Sequence, residues 1–218
     1  MNERRDAEEH LRVIRSLMER ATVYRAISAP TAVVGGVLAL ITAAVLFVGN
    51  FRGSTSFFRL GYPGAARQFM AIWAVVLLAT LLANTFFIWR KARREGSAFF
   101  TSGLKLAIYS AAPVLLVAAV LTSLFWRNDE TAEAVPILVT IWITSYGLAL
   151  LATASFAPRS LRILGWAFLL TGAACLLLTG PLFNPEPARH AALAMGVTFG
   201  LYHFVYGVWT WPRKPEAS

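Results

Sequence analysis

The sequence predicts an all-α membrane protein, a polytopic bundle of six transmembrane helices preceded by an N-terminal amphipathic helix. Hydrophobic residues make up 57% of the 218 and charged residues 14%, whereas a soluble domain has roughly 45–50% and about 25%. The mean hydropathy is +0.60. The apolar residues are gathered into six runs, each long enough to cross a bilayer, whose core of about 30 Å takes roughly 20 residues at about 1.5 Å of rise.

Ahead of the first run, residues 3–27 repeat apolar side chains at helical spacing. Leu11, Ile14, Leu17, Met18, Ala21 and Tyr24 share one face, and Glu8, Arg12, Arg15 and Glu19 the other. Arg5 with Glu9, Glu8 with Arg12 and Arg15 with Glu19 are opposite charges four apart, each adding about 0.2–0.5 kcal/mol to the helix. The apolar stripe needs a cover: the membrane interface, a second copy of the chain, or a cytoplasmic protein partner docking through residues 5–27. Six Arg against five acids in the first 25 residues argue against a purely electrostatic hold on anionic lipid. The expected organisation is an amphipathic cytoplasmic or interfacial helix over 1–29, a transmembrane domain over 30–211 and a cytoplasmic tail over 212–218.

The six spans are expected at 31–49, 68–89, 104–126, 135–156, 161–180 and 190–210. Pro30 and Pro136 stand at first turns, where a missing N–H costs nothing, and Pro181 follows Gly180 where the fifth span stops. Trp89, Trp126, Trp209 and Trp211 occupy span ends, the level at which an amphipathic ring bridges lipid and water. Lys105 lies one residue inside the third span and reaches the headgroups along its own stem. Pro113, ten residues into that span, is expected to kink it.

With six spans both termini share a side. Fifteen of the twenty basic residues fall on that side, leaving Arg52, Arg59, Arg67, Arg127 and Arg189 on the other. The positive-inside rule then places both termini in the cytoplasm. Seventeen of the basic residues are Arg and three are Lys, a bias expected of a GC-rich bacterial genome, so the expected location is the bacterial inner membrane. The first 30 residues lack the apolar centre and small-residue cleavage site of a secretory signal, and retention of the N-terminus is expected.

The connections are read individually. The first outer loop, over 50–67, interleaves Phe51, Phe57, Phe58, Leu60 and Tyr62 with three Arg and is expected to lie in the headgroup layer, with recognition of an anionic ligand as the alternative. The inner segment RKARREGSAFF is a topology determinant touching anionic lipid rather than a nucleic-acid site. The acidic RNDETAEA reads as a solvated turn.

Low charge also restricts function. The six span interiors hold no carboxylate, which argues against proton coupling, acidic-ring cation channels and aspartyl intramembrane proteolysis. HExxH, P-loop, dinucleotide and GxSxG patterns are missing. A lone cysteine, Cys175, permits neither an intrachain disulfide nor a cysteine-based zinc site. Neither a metal nor a cofactor is expected.

The few buried polar residues are the candidates. Asn84, Tyr109, His203 and Tyr206 fall about 6–11 Å from the cytoplasmic boundary, counting about 1.5 Å per residue, and Tyr146 lies deeper, so a polar layer opening to that side is expected. His203 is the one residue well inside a span of a type that ordinarily titrates near neutrality, and it reads as a ligand-binding residue or a proton acceptor, or else as an interhelical hydrogen-bonding residue. Haem is disfavoured, because His190 stands thirteen residues away, about 20 Å along the helix, and cannot be the second axial ligand. Ala192, Gly196 and Gly200 form a small-xxx-small ridge, continued by His203 and Gly207, that reads as a packing seam. Gly35, Gly36, Gly165 and Gly172 are weaker signs of the same kind. The expected function is a non-catalytic accessory, sensor or assembly component, and the alternative is a small transporter or channel subunit for a neutral or weakly polar compound.

Overall fold

The computed structural model describes residues 2–51, 65–96, 102–127, 134–178 and 187–211, with residues 2–7, 15–28, 49–51, 65, 91, 95, 102–103, 178 and 187 described as helical backbone only. The helices are α1 (Asn2–Phe51), α2 (Ala65–Glu95), α3 (Ser102–Arg127), α4 (Val135–Ala152), α5 (Arg159–Leu178) and α6 (Pro187–Met195). A π-helical stretch, Gly196–Tyr202, then leads into α7 (His203–Trp209). No strand occurs among the described residues. Six helical segments are long and apolar enough to cross a membrane, and the sixth, Ala188–Trp209, joins α6, the π stretch and α7. The architecture is an all-α multi-pass bundle.

Three details depart from the sequence expectation. Pro30 opens no separate helix, because α1 runs unbroken from Asn2 to Phe51 with the proline inside it, although the apolar span within α1 begins at Ala29. One lost donor does not break a helix that has long helical runs on both sides, although it is a recognised cause of kinks. The fourth span stops at Ala152 instead of continuing to residue 156. The backbone N–H and the hydroxyl of Thr153 both donate to the Leu150 carbonyl, at 3.1 and 2.7 Å, and the Ala154 N–H donates to Leu151 at 2.9 Å. The residue before Pro158 is biased away from the helical region, and the Pro158 carbonyl starts the next helix by accepting from Leu161. Hydropathy registers composition across this turn, not the turn itself. The sixth span is not uniformly α-helical, since a π stretch, Gly196–Tyr202, interrupts it.

Lipid tails are as apolar as Leu, so helices in a bilayer associate by close packing and hydrogen bonding rather than by escape from water. The chain builds two such seams. A Cβ on Gly36 of α1 would lie 2.7 Å from the Phe204 nitrogen and 2.9 Å from the Gly200 carbonyl. On the opposing helix, a Cβ at Gly196 would meet Ala43, one at Gly200 would meet Leu40, and one at Gly207 would meet the Val33 backbone. The second seam joins α4 to α5: a Cβ on Gly147 would sit 2.7 Å from the Leu169 nitrogen, and Gly172 lies against Thr144. Ala192 is fully buried, as are Leu46, Phe69, Leu138, Ile143 and Phe168.

Packing loosens at the rim. Ala118 alone is buried among the described residues of α3. Two polar contacts tether this helix: the Trp142 indole donates to Thr122 at 2.8 Å, and Arg67 donates to the Trp126 carbonyl at 2.8 Å. Pro113 sits inside α3, which stays continuous through it. Trp89, Trp126, Trp209 and Trp211 are exposed at span ends.

Leu11 and Ile14 are exposed on the N-terminal part of α1. The remainder of its apolar stripe (Leu17, Met18, Ala21 and Tyr24) and the Arg5–Glu9 and Arg15–Glu19 pairs lie outside the described side chains. The first outer loop over 52–64, the acidic turn over 128–133 and the tail over 212–218 likewise lie outside the described residues.

Gly36→Ala is expected to destabilise the bundle by about 1–3 kcal/mol, because the added methyl meets backbone that cannot rotate away. Gly35→Ala should cost less, since its methyl would meet the Thr80 side chain, at 2.8 Å. Unfolding midpoints of the two variants in mild detergent check this, and equal midpoints for Gly36→Ala and the parent would refute it.

Candidate functional site

The site begins with the wide turn of the last span. In the π stretch the backbone bonds i to i+5 instead of i to i+4. Gly196, Gly200 and Gly207 face α1, and His203, four residues before Gly207 in α7, reaches Tyr146 of α4 and Phe168 of α5. The Thr198 hydroxyl, fully buried, bonds back to the Ala194 carbonyl at 2.7 Å inside this region.

His203 meets Tyr146 of α4: the imidazole Nε2 and the phenolic oxygen are 2.7 Å apart. Nδ1 is buried and makes no hydrogen bond. Which of the two groups donates in the Tyr146–His203 contact follows from the histidine tautomer.

Aromatic rings enclose the pair. Tyr146 packs on Phe168 of α5 at 4.8 Å and on Phe199 at 5.2 Å, and His203 lies nearly parallel to Phe199 at 6.0 Å. The Tyr202 hydroxyl is 3.0 Å from that of Thr171, a second polar tie between the last span and α5. Side chains from α4, α5 and the last span thus form one polar centre in an aromatic shell.

A groove of about 1000 Å³ between α3 and α4 reaches Tyr146. Ala107, Ala111, Ala112 and Ala149 keep it open, Pro113 stands in its α3 wall, and Tyr109 and Thr153 line the part near the start of α3 and the end of α4. From Thr153 to Tyr146 is seven residues of helix, about 10 Å of depth. The lining is almost wholly apolar, with hydroxyl groups as its only side-chain polar atoms.

The five polar residues singled out from the sequence do not share one set of contacts. Tyr146 and His203 are bonded together, and Tyr109, 77% exposed, shares the groove with Tyr146. Asn84 lies elsewhere, accepting from the Thr31 hydroxyl at 2.9 Å and tying α1 to α2. Tyr206 is buried in the core, and its carbonyl accepts from the Thr210 N–H and hydroxyl. Sequence reasoning passed over Phe168, Phe199, Thr171 and Tyr202. The one local signal was the position of Phe199 and Tyr202 four and one residues before His203. Among the described residues no group of three His, Cys, Asp or Glu side chains could hold a metal ion.

Tyr146→Phe keeps the ring packing and removes one hydroxyl. The coupling between Tyr146→Phe and His203→Leu in a double-mutant cycle of unfolding free energy is expected at about 0.6–2 kcal/mol, the range for interhelical bonds in membranes. A coupling indistinguishable from zero would mean that the 2.7 Å contact has no energetic weight. No family model, curated protein or solved structure matches this chain.

Proposed function

We propose that the chain is a non-catalytic accessory or sensor component of the bacterial inner membrane, with both termini in the cytoplasm, that responds to a lipophilic compound held between α3 and α4. The observation that carries this reading is the groove that ends against Tyr146, itself bonded to His203. Such a lining suits an apolar body with one neutral hydrogen-bonding group. The body lies along the alanines of α3, and the group competes for the tyrosine–histidine bond. The lining holds no carboxylate, lysine or cysteine, and His203 stands behind Tyr146 outside it.

The packing supplies a route for a response. A ligand that alters the Tyr146–His203 bond alters how α4 meets the last span. That span lies against α1 across Gly36, and α1 continues without interruption into the N-terminal segment. The exposed Leu11 and Ile14 on that segment are the surface offered to a second copy or a cytoplasmic partner. Such a device works only if the ligand binds two arrangements with different affinity, and the thinly packed α3 is the element free to differ between them.

A small transporter or channel subunit for a neutral or weakly polar compound is the second reading. The position of Pro113 in the groove wall favours it, since a proline in a membrane helix is a natural point of bending.

Native mass spectrometry of gently solubilised protein, with chromatography of the extracted compounds, is expected to find a lipophilic molecule enriched over the bulk membrane. Ala112→Trp, which fills the groove, should remove it. Retention of the compound by that variant, or extracts of bulk-lipid composition from the parent, would exclude the groove. Deleting residues 1–25 should abolish self-association or partner capture while the bundle stays inserted, and survival of both would exclude the proposed output. Flux into liposomes that is lost in His203→Ala with folded protein intact would establish transport instead.

A further inference from the structure

A second face of the bundle, distinct from the α3–α4 groove, carries its own chemistry. Leu82, Phe86, Trp89 and Arg93 of α2 follow one another at spacings of four, three and four, which places them on one side of the helix. All four are exposed. Leu82, Thr85, Phe86 and Trp89 bound a shallow apolar hollow. The Thr85 hydroxyl is turned back to the Leu81 carbonyl at 2.8 Å, so the threonine offers the hollow its methyl group. Phe86 and Trp89 pack ring to ring at 6.1 Å and form its firm wall.

The hollow ends in positive charge. The Arg93 guanidinium lies 4.7 Å over the Trp89 ring, a cation–π arrangement that fixes the group while its in-plane N–H donors remain available. Arg90 and Arg94 are exposed beside it. Over residues 90–105 the sequence has Arg90, Lys91, Arg93, Arg94 and Lys105 against a single acid, Glu95. An apolar trough within a span, leading over about three turns from Leu82 to a preset guanidinium at Arg93, matches one kind of molecule: an acyl chain joined to an anionic headgroup.

We infer that this face of α2 is a binding site for an acidic phospholipid, with an acyl chain in the hollow and the headgroup phosphate held by Arg93 and Arg90. Guanidinium and phosphate pair through parallel hydrogen bonds. Charge alone would attract any anion, but the hollow selects one that carries a chain.

Native mass spectrometry of the full chain in mixed micelles tests this, with dioleoyl phosphatidylglycerol and dioleoyl phosphatidylcholine offered in equal amounts. The parent protein is expected to retain phosphatidylglycerol preferentially. Arg90→Gln/Arg93→Gln should weaken that retention about 30-fold, from about 1 kcal/mol for each basic residue at the membrane surface. Trp89→Ala should weaken it as well. Arg162→Gln removes a charge from the start of α5 and should leave retention unchanged, and millimolar glycerol phosphate should not displace the lipid. Equal retention of the two lipids by the parent, an equal loss in Arg162→Gln, or displacement by glycerol phosphate would each overturn the site. The lipid preference of the parent is read without any variant, so a poorly folding mutant leaves the inference testable.

Discussion

The last span lies against α1 because no side chain separates their backbones at Gly36, Gly200 and Gly207. At Gly36 a methyl group would fall 2.7 Å from a backbone nitrogen of the neighbouring helix. In water, apolar side chains alone would drive two helices together. In lipid that drive is missing, and dispersion contacts between closely fitted surfaces take its place. The other features of the bundle follow from where this contact sets the last span. Its remaining side chains have to be shared among α4, α5 and lipid.

One helix therefore presents glycines to α1 and a tyrosine and a histidine to α4 and α5. A π stretch, Gly196–Tyr202, runs through it, and such stretches are frequent at functional sites. The side chains turned from α1 make the Tyr146–His203 bond and the Tyr202–Thr171 contact, both in surroundings where a polar group without a partner is costly.

Packing also grades outward, from seams closed at backbone distance to helices that leave most of their span surface exposed. The α4–α5 and α1–last span pairs are of the first kind, and α2 and α3 of the second. A tight centre positions Tyr146 and His203, and a loose rim leaves a groove beside α3 and a hollow on α2. In a bilayer these surfaces meet lipid or lipid-soluble molecules, and the two differ in their chemistry. The groove ends in a neutral hydrogen-bonding pair, whereas the hollow ends in guanidinium groups.

How much of this was legible in the sequence follows from the range of each interaction. Six spans are evident because hydropathy is a property of each segment alone and the bilayer imposes one length on all of them. Gly196, Gly200 and Gly207 could be picked out as a close-packing set from their spacing, since that spacing is local. The polar residues could be listed but not paired. Depth arithmetic puts Asn84 and His203 at similar levels, yet one bonds to Thr31 across α1 and α2 and the other to Tyr146, 57 residues earlier in the chain. The turn at Thr153 was hidden because its residues are apolar enough to pass for span, and the π stretch because helical periodicity assumes a constant repeat. Length, composition and charge by themselves determined the six spans, the helical class and span interiors free of carboxylates, all being sums over local residues. Only the tertiary structure decided which side chains share a site, because that depends on the rotation of each helix about its axis, and the close approach of neighbouring backbones sets that rotation.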